Sequence, residues 1–296
     1  MSSDGFRSYY GKPVVKRPVW EPVIPAYFFV GGTAGAAASL GLAARLSGNE
    51  RLARTATYVD AACIAVSPAL LIADLGRPER FLHMLRMFKV TSPMSVGTWI
   101  VSASGLASGA GAVLELAGRG PRARLAAQVA AGLLGPFLST YTAALLADTS
   151  IPVWHEARRE LPFVFAGSSA ASAGGACALL APPGHAGPAR RLAVAGAALE
   201  LAAGRAMERR LGMLAEPYRK GAAGFLAGAA RALTAAGGLT MLLTGRSRRG
   251  AAVAGGLLLA GSACERFSVF RAGFASADDP RYTIVPQRQR LEDRGA

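Results

Sequence analysis

Residues 71–99, which read LIADLGRPERFLHMLRMFKVTSPMSVGTW, place an Asp, three Arg, a Glu, a His and a Lys between two long apolar segments. Charged groups at a boundary between lipid and water are costly unless they are paired or solvated, so this cluster indicates a functional site. Asp74 and His83 can exchange protons there. Arg77 and Arg80 can bind a polar ligand, and either one can hold Asp74 in its charged form.

Tyrosine and histidine side chains near the same boundary extend this cluster. Tyr27 begins the first apolar segment, Tyr141 lies within the fourth, and His155 follows it. A quinone pocket requires aromatic and small apolar walls, one or two donors for the carbonyl oxygens and a proton acceptor that reaches water. We therefore predict a quinone-binding set and a proton-exchanging pair: Tyr27, Tyr141, Arg77, Arg80 and His155 for binding, and Asp74 and His83 for catalysis.

Purely structural roles also fit some of these residues. Asp74 can cap a helix and pair with a nearby arginine, and His83 can be a solvated loop residue. Aromatic side chains at membrane boundaries often form an interfacial belt, a role that fits four residues here: Trp20, Tyr27, Trp99 and Trp154.

The elements that must position these residues are membrane-spanning helices. Hydrophobic residues make up 52% of the 296 residues and charged residues only 17%, whereas roughly a quarter are charged in soluble domains. A spanning helix needs about 20 apolar residues, and about eight windows qualify: near 24–46, 52–73, 94–118, 122–147, 161–181, 188–204, 223–245 and 249–270. We predict an all-α membrane protein with a bundle of about eight transmembrane helices.

The domain organisation follows from these windows. We expect a single polytopic membrane domain, 1–296, in a cell membrane: a polar N-terminal tail (1–23), the bundle (24–272) and a polar C-terminal tail (273–296). An even number of spans places both tails on one face, called side A here, with the 74–93, 148–160 and 205–222 loops. The opposite face, side B, carries four short turns rich in arginine. The net charge of +15 therefore indicates topology and contacts with anionic lipids, and not nucleic-acid binding.

Several cofactor chemistries do not fit the sequence. Cys63, Cys177 and Cys264 form no CxxC motif, which argues against an iron–sulfur cluster or a zinc site. The three histidines, His83, His155 and His185, all fall in loops or at the ends of spans, so no pair can ligate a haem between facing helices. We expect no metal, no haem and no iron–sulfur cluster in this chain.

The segment DLGRPERFLHMLRMFKVTSPMSVGTW resembles the loop between the second and third spans of the NrfD/PsrC family, the membrane subunits of polysulfide reductase and related complexes. YFFVGGTAGA in span 1, TYTAALLADTSIPVW in span 4 and ERFSVFRAGFASADDP at span 8 are also similar to that family. The resemblance implies an eight-helix, haem-free quinone-binding subunit in which Tyr141 contacts the quinone. The family's proton path implies further candidates: Asp148, Glu200, Glu265 and Arg266.

The resemblance also implies partners. The chain would pass electrons between menaquinone, or another quinone, and a four-cluster ferredoxin-like iron–sulfur subunit that serves a molybdopterin catalytic subunit. Two other classes stay open: a secondary transporter of a small anionic or ionic substrate, and a passive anchor. Transporters usually place ionisable groups at the midplane, whereas most candidates here lie near one face.

The first prediction concerns orientation. Because the short side-B turns are dense in arginine, the positive-inside rule places them in the cytoplasm and both termini outside. A reporter fused after Ala296 that works only outside the cytoplasm should therefore be active. Activity only of a cytoplasmic reporter would reverse this orientation.

Overall fold

A computed structural model describes residues 14–75 and 77–295, without the side chains of residues 78, 80, 82 and 293–295. The described residues form ten α-helices and no strand: α1 (Val23–Leu46), α2 (Glu50–Ala73), α3 (Pro93–Ala117), α4 (Pro121–Ala147), α5 (Pro152–Glu156), α6 (Leu161–Leu180), α7 (Gly187–Leu211), α8 (Gly221–Thr244), α9 (Arg248–Asp278) and α10 (Arg281–Gly295). Three 3₁₀ helices occupy the side-A connections: Pro78–Leu85, Ala157–Arg159 and Gly212–Tyr218.

The expected all-α membrane bundle is confirmed. Seven of the described helices are long and apolar enough to cross a membrane, namely α1 to α4, α6, α8 and α9. The remaining long helix, α7, has 25 residues but carries too many charges to meet the same criterion. It lies antiparallel to α6, as the close contacts of Gly167 with Glu200 and of Gly174 with Ala193 show. It therefore returns the chain to side A, as the eight-span prediction requires.

Local sequence signals fix several helix ends on side B. The Asn49 side chain accepts a hydrogen bond from the Leu52 backbone N–H at the start of α2, and Ser247 does the same for Gly250 at the start of α9. Gly118 and Gly120 adopt φ angles of 62° and 63° in the turn between α3 and α4. Such left-handed conformations favour glycine, so this connection can be very short.

The polar C-terminal segment is helical. Helix α9 continues to Asp278, and residues 281–295 form α10. Asp279 accepts a hydrogen bond from the Arg281 backbone N–H at 2.9 Å, and the Tyr282 hydroxyl donates to Glu216 at 3.1 Å. These contacts hold α10 against the Gly212–Tyr218 helix. Hydropathy alone could not reveal them.

The first four helices pack through small residues, with α1 in the centre. Gly35 of α1 and Gly135 of α4 approach so closely that a Cβ on either would overlap the other's carbonyl oxygen. Pro136 lacks the N–H that would bond the Gly132 carbonyl within α4, and Ser39 of α1 donates to that carbonyl at 2.9 Å. The crossing therefore also satisfies the polar group that the proline leaves free.

Contacts between α1 and α6 join the first four spans to the remaining ones. The Thr33 and Ser172 hydroxyls are 2.8 Å apart. A Cβ on Gly32 would overlap the Ser169 hydroxyl and would lie 3.3 Å from a terminal nitrogen of Arg266. In lipid, where helix association depends on packing and on interhelical hydrogen bonds, such contacts hold the two halves together.

The Gly135→Ala substitution tests this crossing. The added methyl group would force α1 and α4 apart, and we expect the variant to lose about 1–3 kcal/mol of stability, the usual cost of overpacking. Gly109→Ala in α3 is the matched control, because a Cβ at that position would have no described atom within 4 Å beyond its own stretch of helix. Thermal unfolding in detergent should separate the two variants. Equal midpoints would contradict the role of the crossing.

Candidate functional site

A cavity of about 210 Å³ lies at the side-A end of the first four spans. A single water needs roughly 10–15 Å³, so this space can accept a much larger molecule. Its lining is mostly apolar or aromatic and comes from α1 to α4 and the two side-A segments next to them: Trp20, Ile24, Tyr27, Phe28, Leu71, Asp74, Leu75, Phe81, Met84, Met94, Thr98, Val101, Ser102, Tyr141 and Leu145.

Two tyrosine hydroxyls form the polar centre of this cavity. The Tyr27 and Tyr141 hydroxyls are in hydrogen-bond contact across the interface of α1 and α4, and either can be the donor. Tyr27 is 1% exposed, whereas Tyr141 is half-buried. Gly97 of α3 makes room for the Tyr141 ring, which a Cβ at that position would overlap. The pair can therefore present one free hydroxyl proton to a ligand.

Asp74 contributes the only carboxyl group among the described cavity-lining side chains. It lies at the C-terminal end of α2 and accepts a hydrogen bond from the Glu21 backbone N–H at 2.7 Å. Burial raises the pKa of Asp74, and this hydrogen bond lowers it only in part. A partly exposed carboxyl group at the end of a cavity can exchange protons between a ligand and the water of side A.

The predicted ion pair of Asp74 with Arg77 is wrong. Arg77 is exposed and makes no ion pair with Asp74 in the described residues, because the segment before α1 folds back and offers the Glu21 N–H instead. The Arg80 side chain lies outside the described residues. From the 78–85 helix, Phe81 and Met84 line the cavity, while His83 is exposed and does not.

His155 and Asp148 lie away from this cavity. The His155 Nδ1 atom lies 3.1 Å from the Ala147 carbonyl oxygen. Its side chain lines a separate cavity of about 80 Å³ formed by α5, the Gly212–Tyr218 helix and α10. Asp148 is exposed at the C-terminal end of α4. Direct contact of His155 with a ligand in the larger cavity is therefore not supported.

Three other predicted residues meet in the second half of the bundle. Arg266 is fully buried; its Nη2 atom donates to the Phe165 carbonyl at 2.8 Å and to Ser169 at 2.9 Å. Glu200 accepts a hydrogen bond from Thr234 at 3.0 Å. Glu200 and Glu265 line a cavity of about 20 Å³, room for about one water. This polar cluster is separate from the cavity of the two tyrosines.

Sequence reasoning placed Trp154 at the membrane interface, and the structure corrects this. Trp154 is fully buried, donates from Nε1 to the Val269 carbonyl at 2.7 Å and stacks on Trp20 with 5.6 Å between the ring centroids. Gly273 provides the space, because a Cβ there would overlap the indole ring. Trp154 thus supports Trp20, which lines the cavity.

Thr98 and Ser102 of α3 also line the cavity and were not predicted. They are four residues apart, so they share a face of the helix, and that spacing was the available signal. The Thr98 hydroxyl donates to the Met94 carbonyl, and the Ser102 hydroxyl donates to the Thr98 carbonyl, one turn earlier in α3. Each hydroxyl therefore already has a hydrogen-bond partner within its own helix.

A comparison with protein families gives a match. The family model described as polysulphide reductase, NrfD, matches residues 13–187, which is more than half of the chain and includes every side chain that lines the 210 Å³ cavity. No curated protein matches the chain.

Proposed function

The chain belongs to the NrfD polysulphide reductase family, and we propose that it is the membrane subunit of a reductase complex and exchanges electrons and protons with a quinone. The observation that carries this proposal is the cavity between α1 and α4. It combines aromatic and aliphatic walls with two tyrosine hydroxyl groups and one carboxyl group. These are the groups that a flat apolar ring with two carbonyl oxygens requires.

Each polar group has a distinct role in this proposal. Tyr141 donates a hydrogen bond to a quinone carbonyl oxygen, and Tyr27 orients the Tyr141 hydroxyl. Asp74 takes up or releases the proton that accompanies electron transfer and exchanges it with water on side A. Phe28 and Trp20 pack against the ring, while Met84 and Phe81 cover it from the 78–85 helix.

The proposed electron partner docks on side A. The cavity lies at that end of the bundle, and a redox centre must come close to the quinone for electron transfer. The described residues contain no group of three or more His, Cys, Asp or Glu side chains arranged to hold a metal, so we assign the redox metals to partners. These are an iron–sulfur subunit with four clusters and a molybdopterin subunit, with menaquinone as the lipid-soluble carrier.

A secondary transporter fits the structure less well. Transporters commonly bind substrate near the midplane, where unwound helices expose their ends. Here α2 and α4 contain Pro68 and Pro136, yet both helices continue through these positions. The cavity that contains the two tyrosine hydroxyls and Asp74 also lies at one face.

Tyr141→Phe tests the ligand contact. The substitution removes one donor and almost no volume, so the complex should still assemble. We expect quinone-linked turnover to fall roughly tenfold or more, since a hydrogen bond to an oxygen that gains charge is lost. Activity of the catalytic partner with a soluble dye should persist. Tyr58→Phe, at an exposed position of α2, should change neither activity, and wild-type turnover of Tyr141→Phe would refute the site.

Asp74→Asn tests proton exchange through its pH dependence. Because burial raises the pKa of Asp74, acidification removes the ionised acceptor at a pH above the ordinary range of aspartate. Wild-type quinone turnover should therefore decline as the pH falls through this raised pKa, and the asparagine variant should be slower at neutral pH and lack that decline. Asp278→Asn removes an exposed carboxylate and should keep the wild-type profile. If Asp74→Asn also keeps it, Asp74 serves only to anchor the segment before α1 through the Glu21 N–H.

A further inference from the structure

A buried carboxyl group in α2 has no role in the proposed quinone site. Asp60 is 3% exposed, and its Oδ1 atom has no hydrogen-bond partner among the described residues. Within the same part of the chain, the buried Ser104 and Ser108 hydroxyls of α3 also lack a partner at hydrogen-bond distance, although Ser108 borders the same small cavity as Asp60. Unsatisfied oxygen atoms inside a membrane bundle are costly, so this grouping points to a function or a bound molecule.

A small cavity adjoins Asp60 on its side-B flank. Its volume is about 10 Å³, and its polar lining consists of Thr57, Asp60, Ser108 and Gln128. That volume is close to the minimum for one water. A water there can bond the Asp60 carboxyl group and the Ser108 hydroxyl, which satisfies two of the three oxygens.

Hydrogen-bonded side chains continue from this cavity to side B. Gln128 donates from Nε2 to the Thr57 hydroxyl at 3.0 Å and accepts at Oε1 from the Arg45 Nε atom at 2.8 Å. Arg45 also bonds the fully buried carboxylate of Glu115. Arg54 and Arg124 contact the same carboxylate at 3.0 and 3.4 Å, and they lie at the side-B ends of α2 and α4.

Polar groups also continue from Asp60 toward side A. Ser104 lies one helical turn from Val101, which lines the 210 Å³ cavity. Pro68 lacks the N–H that would bond the Ile64 carbonyl within α2. That free carbonyl lies between Asp60 and the cavity-lining Leu71, where a water or a hydroxyl can bond it.

The described side chains around Asp60 carry no charge that would neutralise its ionised carboxylate. The groups that face it from the surrounding helices are neutral: Cys63 of α2, Ser108 of α3, Gln128 of α4, Cys177 of α6, and Ala38, Gly41 and Leu42 of α1. The nearest arginines toward side B form ion pairs with Glu115 instead: Arg45, Arg54 and Arg124. An isolated carboxylate in this setting is far costlier than a protonated acid.

We propose that Asp60 binds and releases a proton and connects side B with the quinone cavity. This inference rests on the proposed quinone chemistry. Reduction of a quinone to a quinol takes two electrons, here from the iron–sulfur partner, and two protons. Asp74 supplies one proton from side A. Asp60 supplies the other: it takes the proton from side-B water that enters beside Gln128 and Thr57, and it passes the proton through the Ser108 and Ser104 hydroxyls and intervening water to the cavity. The reverse path operates when a quinol is oxidised.

Infrared spectroscopy of the purified full-length chain tests the proton on Asp60 without any quinone. The difference spectrum between the wild type and Asp60→Asn isolates the contribution of Asp60 from those of other buried acids such as Glu200 and Glu265. It should contain a carbonyl stretch of a protonated carboxyl group that shifts in D₂O; Ser108→Ala should shift this band, and the control Asp278→Asn should keep it. A difference spectrum without this band, or a band that responds to Na⁺ and not to D₂O, would overturn the proposal.

Turnover of the assembled complex then tests the connection. We expect Asp60→Asn to slow quinone turnover roughly a hundredfold, the scale of a lost proton-transfer group, with dye-linked partner activity unchanged. Asp60→Glu keeps the carboxyl group and should restore part of the turnover and the infrared band, which separates proton transfer from misfolding. Wild-type turnover in Asp60→Asn would refute the connection. Absence of quinone turnover in the wild type would instead refute the proposed function, while the infrared test would still decide whether Asp60 exchanges a proton.

Discussion

The close approach of α1 and α4 at Gly35 and Gly135 is the constraint on which the site depends. Lipid offers no hydrophobic drive for two helices to associate, so contact requires backbones that can come close together. Once they meet there, the antiparallel arrangement places Tyr27 opposite Tyr141, two turns nearer side A. The hydroxyl pair is therefore a consequence of glycines far from the cavity. The hydrogen bond from Ser39 to the Gly132 carbonyl fixes the register of the two helices.

The bundle contains three separate polar regions. The tyrosine pair and Asp74 surround the large cavity at side A. Asp60 and its neighbouring hydroxyls lie deeper in the same four helices. Arg266, Glu200 and Glu265 lie in the other half, where the Arg266 guanidinium lies 3.7 Å from the centre of the Phe165 ring. Only the first region borders a space large enough for a ring-shaped ligand, which is why the proposed redox chemistry is assigned there.

Residue type and hydropathy predicted much of this arrangement. The spans were predictable because a helix in lipid must be apolar along some 20 residues, and Tyr141 stood out as a hydroxyl within such a run. The partner of Asp74 was not predictable, because the Glu21 backbone lies 53 positions away in the chain. Trp154 was misplaced because its pocket depends on Gly273 of another helix. Asp60 is an acid within a span, and its type alone was a usable signal; its neighbours Ser108 and Gln128 come from other helices.

The charges carried by α7 and α9 determine how the chain can enter a membrane. Glu265 and Arg266 lie within α9, which has the lowest mean hydropathy, 1.2, of the seven apolar helices. Helix α7 is not among those seven. Of the two, α7 is the less suited to partition into lipid alone. Each of them packs against the apolar helix that precedes it, α6 for α7 and α8 for α9. Insertion of each pair as a helical hairpin would let α6 and α8 shield these polar side chains from lipid.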